Sequence, residues 1–189
     1  MHVHVDGRDL DYEGLKYALL IGKSVQNIIY KMMPPSRDGS RWCRRIPMSR
    51  LGILNIDSNE EFIESWYDSW GTSPSMEKYN DSRYCGMNMH ARIIHGSIEF
   101  RYHSATINPI KIVNWVKICT AIVDKAKEIA MKPEDNALLE IIKTRDLNYL
   151  EFFDLLDLDD SVEKYVNKRM VKFYNYEKKE DYAAIEYYI

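Results

Sequence analysis

The segment Ser97-Ile98-Glu99-Phe100-Arg101-Tyr102-His103 alternates apolar and polar residues without a break. Successive side chains of a strand point to opposite faces. Ile98, Phe100 and Tyr102 therefore share an apolar face, and Glu99, Arg101 and His103 share the other. A strand of this kind has one face to cover and one to leave open, the habit of antiparallel rather than parallel sheets. Residues 1–5 alternate in the same way, with β-branched Val3 and Val5, and residues 84–91 form a third strand candidate. Residues 92–96 fit a hairpin connection between that candidate and the alternating segment.

The helices carry a different period. Residues 11–33 place Leu15, Ala18, Leu19, Val25, Ile28, Ile29 and Met32 at helical spacing, and Pro34-Pro35 ends the run. Ser58-Asn59-Glu60-Glu61 reads as a capping box before Phe62, Ile63 and Trp66. Pro109 opens a strong helix with Ile112, Val113, Val116, Ile118, Cys119, Ile122 and Val123 apolar. Further helices are expected over residues 134–144, 147–156 and 161–175, with loops over 36–50 and 71–80. His90 and His95 flank the expected hairpin and read as surface; Trp66, Trp70 and the tyrosine-rich tail 176–189 read as packing or partner contacts. Strands early and central with helices late predict an α+β chain, an antiparallel sheet with helices on one face. Residues 1–130 would form its core and residues 131–189 a helical extension of the same domain.

Composition removes several function classes. With 46% apolar residues the chain of 189 residues can bury a core, and a net charge of −3 gives no global reason to bind nucleic acid. Cys43, Cys85 and Cys119 are far apart and form no CxxC pair, which suits a reducing compartment better than a disulfide framework. No apolar run reaches transmembrane length, and the opening residues lack a signal-peptide pattern, so the expectation is a cytoplasmic protein without a membrane partner.

Three constellations carry chemistry. His2 and His4 share one strand face, roughly 6.5–7 Å apart, too far for a shared proton but suited to one metal ligand beside one phosphate contact. The plain alternative is an exposed strand face or a tag remnant. Glu99, Arg101 and His103 put a carboxylate, a guanidinium and an imidazole in register, as a metal ligand and an anion clamp require; a solvated outer face would look the same. Arg37, Arg41, Arg44, Arg45 and Arg50 crowd into residues 36–50, and no lysine lies between Pro34 and Met48. Arginine is preferred where planar, bidentate phosphate recognition matters, although a solvated basic loop or a nucleic-acid patch would share the pattern.

Together these segments resemble the amidoligases, carboxylate–amine ligases of the glutamine-synthetase-like superfamily. Met1-His2-Val3-His4-Val5-Asp6 is similar to the GMHVHxS strand of glutamine synthetases and the HVHVD strand of amidoligases. Pro34-Pro35-Ser36-Arg37 through Arg41-Trp42-Cys43-Arg44 resembles the amidoligase arginine loop, and Arg83-Tyr84 through Asn88 the strand that follows it. Gly96 to Thr106 resembles the segment G-T-I/V-E-F-R-x-H-x-G-T, with Asn108 continuing it and Ala105 standing where the family usually has Gly. The resemblance covers roughly residues 1–130.

It implies a glutamine-synthetase-like fold and an ATP-dependent ligase with an acyl-phosphate intermediate. His2 and Glu99 would share Mg²⁺ or Mn²⁺, His4 would face phosphate, and Arg101 would contact the activated carboxylate. Arg41, Arg44 and Arg45 would line the nucleotide phosphates, with Arg37 a further candidate; His103, Thr106 and Asn108 complete the candidate set. The substrates would be a small-molecule or peptide carboxylate and an amine. The family also has an upstream strand with an E-x-E pair that this sequence does not contain. The fold is therefore expected to be incomplete at the N-terminus, and a separate N-terminal subunit or self-association would complete the metal site. A protein that kept the sheet, lost the chemistry and serves as an interaction or structural protein is the alternative; a nucleic-acid binder acting through the arginine loop is a third.

Overall fold

A computed structural model describes residues 1–132 and 138–173. Strands β1 (Val3–Asp6), β2 (Met87–Asn88) and β3 (Ser97–Phe100) form one antiparallel sheet in the order β1-β3-β2. Register sets His4 opposite Glu99 on one side of β3 and Asn88 opposite Glu99 on the other. The same alternation sends Ile98, Phe100 and Met87 into the core, with Val3 and Val5 packed against it.

Two long helices cover that apolar face. α1 (Tyr12–Lys31) starts where the side chain of Asp11 accepts the amide of Gly14, and it ends at Met32, just before Pro34. α5 (Pro109–Met131) is capped by Asn108, with proline at its first position. The helices pack against each other, and α5 also meets β1. The buried ring of Tyr102 joins them to the sheet, edge-on to Tyr30 of α1 at 5.2 Å and to Trp115 of α5 at 6.1 Å. α6 (Leu139–Thr144), α7 (Tyr149–Leu156) and α8 (Asp160–Phe173) enlarge this same core. Buried Ser24 of α1 donates to the carbonyl of Ile142, and Arg169 of α8 caps the end of α1 through the carbonyl of Met32 at 3.0 Å.

The mixed α+β class and the antiparallel pairing agree with the sequence reading, and the differences have local causes. Between β2 and β3 the chain forms a helix, α4 (His90–His95), in place of a hairpin turn. The side chain of Asn88 accepts the amide of Ala91 at 3.4 Å and starts this turn, while Gly96 ends it at φ 78, a conformation glycine adopts at no steric cost. The strand expected over 84–91 thus shrinks to two residues. His90, read as surface, is buried in α4, whereas His95 is exposed. The long alternating segment also stops being a strand after Phe100. A one-turn helix, α2 (Arg50–Leu54), capped by Ser49, begins at the last residue of the expected loop 36–50. In α3 (Asn59–Asp68) only half the expected capping box forms: Ser58 accepts the amide of Glu61, but Glu61 turns to the amide of Asp57. The full box appears instead at Asn148 and Glu151 of α7. The expected helices over 134–144 and 161–175 lie partly outside the described residues, and the tail 176–189 lies wholly outside them.

Gly86 joins the arginine loop to the sheet. Its amide donates to Arg44 and its carbonyl accepts from Arg101, and a Cβ there would sit 2.1 Å from the buried ring of Tyr102. Overpacking a rigid aromatic costs about 1–3 kcal/mol. At Gly22 an added Cβ would meet the flexible sulfur of Met87, which yields more easily. Gly86→Ala is expected to lower the urea midpoint clearly more than Gly22→Ala does.

Candidate active site

The carboxylate of Glu99 lies at the centre of the sheet's polar face, with the residue only 5% exposed. Its Oε1 is 2.7 Å from His2 Nδ1, 3.0 Å from Arg101 Nη1 and 3.6 Å from His4 Nε2, and its Oε2 accepts from Asn88 Nδ2 at 2.6 Å. Burial alone would raise its pKa, but hydrogen bonds from His2 and Asn88 and the positive charge of Arg101 hold it down at about 2. Glu99 is therefore an anion at neutral pH. Sheet register produces the cluster: His4 and Asn88 are the cross-strand neighbours of Glu99, and Arg101 continues its face by one strand period.

A cleft of about 200 Å³ opens beside the cluster, lined by His4, Asn88 and Glu99, by residues of α4, and by Lys78 and Arg83. Glu99 is its one acidic lining residue among those described, so the cleft favours an anionic ligand. His90 braces the wall. Its Nε2 meets the carbonyl of Glu77 at 2.9 Å and its Nδ1 the hydroxyl of Tyr67 at 2.6 Å. Burial lowers its pKa, and the Tyr67 hydroxyl also donates to the carbonyl of Ser75 at 2.9 Å. The 71–80 segment, which carries Lys78, is held to α3 and α4 in this way.

The family model described as "Putative amidoligase enzyme" matches residues 1–123, which is more than half of the chain and includes every residue of the cluster. The chain belongs to the amidoligase family. No curated protein and no solved structure matches it. The family match ends inside α5, so α6 to α8 lie beyond it.

The predicted site residues divide into two groups. His2, His4, Glu99 and Arg101 come together. Arg37 reaches the same region but faces backbone: its Nε donates to the carbonyl of Tyr102 at 2.8 Å, and its Nη2 donates to that of Arg101. Arg41 lies over the ring of Trp42 at 4.3 Å. Arg44 donates to the carbonyl of Asp81 at 2.8 Å and packs over Trp70. Arg45 points elsewhere, paired with Asp38, bonded to Asn27 and stacked on Tyr30 beside a separate pocket at the end of α1. Arg50 binds Asp146 and the carbonyl of Ile142.

His103 does not continue the polar face. Because the strand ends at Phe100, His103 is buried between α5 and α8. It bonds to the carbonyl of Ser104 and the hydroxyl of Tyr165, with its ring 5.7 Å from Trp115. Burial pulls its pKa down to about 4. Thr106 accepts the amide of Asn108, and Asn108 accepts that of Lys111, so both shape the start of α5. Sequence reasoning did not single out Asn88, Lys78 or Arg83 for the site. Arg83 and Asn88 were within reach, since they bound the segment that resembles the family; Lys78 has no local pattern that marks it.

No group of three or more His, Cys, Asp or Glu among the described residues is arranged to hold a metal. His2 Nδ1 and Glu99 Oε1 face each other and offer one nitrogen and one oxygen donor. Mg²⁺ prefers six oxygens and usually keeps waters and substrate phosphates. A cation fits this pair only with most of its shell supplied by ligand oxygens.

Two measurements check this account. Arg37→Ala leaves two strand-end carbonyls without a charged donor and is expected to cost about 2 kcal/mol of stability in urea unfolding. The pH dependence follows from His103 and Glu99. The unfolded chain takes up the His103 proton near the ordinary 6.5, the folded chain only at about 4, so this residue makes stability fall as pH drops through that interval. The Glu99 contribution is present above the ordinary 4.5 and is lost as pH falls through about 2. His103→Gln is expected to flatten the loss of stability between pH 6.5 and 4 and leave the more acidic limb unchanged.

Proposed function

We propose that this amidoligase is an ATP-dependent carboxylate–amine ligase that acts through an acyl phosphate. The observation that supports this reading most is an ionised, buried Glu99 with His2, His4 and Arg101 around it, at the edge of a cleft that favours anions. A substrate carboxylate oxygen attacks the γ-phosphorus of ATP and ADP departs. An amine then attacks the acyl carbon, phosphate leaves, and the amide forms with loss of a proton. The early species are all anionic, so catalysis consists largely of placing positive charge and oriented donors.

The chain supplies these as follows. Arg101 has five N–H donors, of which Glu99 and the carbonyl of Trp42 take two, leaving others for phosphoryl oxygens. His4 stands on the same face, half exposed, within reach of a phosphate bound over the sheet. Glu99 orients Arg101 and His2 and keeps the local charge balanced. Mg²⁺ or Mn²⁺, held between His2 and Glu99 and by ligand oxygens, would neutralise phosphate charge. β1 is an edge strand among the described residues, and an open edge is a template for another strand. A separate polypeptide or a second copy paired there would bring further donors to the metal.

ADP release by the full chain, with mixed small carboxylic acids and with hydroxylamine as the amine, tests the reading. Hydroxamate should form in step with ADP, and Glu99→Gln should lower the rate at least about 100-fold. ADP release without hydroxamate, or equal rates in the variant, would defeat it.

A further inference from the structure

The environment of Trp42 is not accounted for by the chemistry above. The residue is 45% exposed although large apolar side chains gain by burial, yet it is held by several contacts. Its carbonyl accepts from Arg101 Nε at 3.3 Å, its ring meets Tyr84 edge-on at 4.9 Å, and the guanidinium of Arg41 lies over it at 4.3 Å. Cys43, the next residue, is buried and bonded back to the carbonyl of Arg37. The position of the ring is therefore set by the same backbone that sets Arg101. Tyr84 bridges the two, with Arg101 5.8 Å from its centroid.

We infer that Trp42 is the nucleobase platform of this amidoligase: a purine stacks on its exposed indole while the phosphates run past Tyr84 to Arg101. The inference rests on the ATP-dependent reading above and adds the site that would distinguish ATP from bare triphosphate. Arg41 serves it from the covered side of the ring. A guanidinium over an aromatic ring is attracted to it and helps hold the indole in place. The cleft beside Glu99, at about 200 Å³, is left for the smaller carboxylate substrate. Stacking is indifferent to base identity because every base has a π-face, so this platform alone should select a base over none rather than adenine over guanine.

Calorimetric titration of the full chain with ATP, GTP and inorganic triphosphate, each with Mg²⁺, tests the inference on wild type, Trp42→Ala and Trp42→Phe. Loss of one base–aromatic stack corresponds to roughly a tenfold weaker affinity. The expected result is that ATP and GTP weaken about tenfold in Trp42→Ala and much less in Trp42→Phe, while triphosphate affinity is the same in all three. Equal ATP affinity in wild type and Trp42→Ala, both tighter than triphosphate, would put the base elsewhere and overturn the inference while leaving the ligase reading intact. Parallel loss of ATP and triphosphate in Trp42→Ala would show that the residue only positions Arg101, and would overturn it too. Failure of wild type to bind either ATP or triphosphate would remove the ATP-dependent reading and this inference with it.

Discussion

An anion excluded from water has to be met by donors on every side, and Glu99 imposes that demand on the centre of a three-stranded sheet. Removing one partner of a buried charge is far more costly than removing a surface charge, so the strands around Glu99 have little freedom in how they pair. A slip of one residue in β1 would turn His4 away and present Val3 or Val5 to the carboxylate. The same slip would expose the valines that pack on the core. Apolar burial below the sheet and charge satisfaction above it thus select the same register. The carboxylate that organises the candidate site is also part of what specifies the fold.

The arginine loop shows the complementary demand, that of backbone carbonyls. Past Phe100 the chain leaves the sheet while still buried, and Arg101, Tyr102 and His103 are all inside. Buried carbonyls need partners, and Arg37 serves two of them at once. Arg44 and Arg50 likewise donate to the carbonyls of Asp81 and Ile142. A cluster of guanidinium groups that reads as a phosphate cradle is, for most of its members, a set of fasteners between distant segments. Planarity and several donors per side chain suit arginine to both tasks, so residue type alone cannot separate them.

That ambiguity marks where the sequence was legible. Period-2 alternation revealed the polar face of β3, and the HxH spacing revealed its neighbour, so four of the gathered side chains could be named before any geometry was known. The long helices were equally clear, because Pro34 and Pro109 punctuate them. What stayed hidden depended on contacts between remote segments. The inward turn of His103 follows from the end of the strand at Phe100 and from Tyr165, far along the chain. α4 is written in one side-chain bond, from Asn88 to the amide of Ala91, and in Gly96; both also fit a hairpin. Arg45 looks like its neighbours until Asp38 and Asn27 are seen to hold it on the other side of the loop.

Putting a helix where a tight turn would suffice has a geometric consequence. α4 stands as a wall of the cleft, yet both its ends are tied to the central carboxylate's surroundings, one through Asn88 and the other through Gly96 at the start of β3. An insertion or deletion between those two residues would change the width of the chamber without moving the strand that carries Glu99. The charged cluster and the width of the cleft beside it are thereby governed by separate stretches of chain. A scaffold built this way can take ligands of different bulk while its charged core stays unchanged.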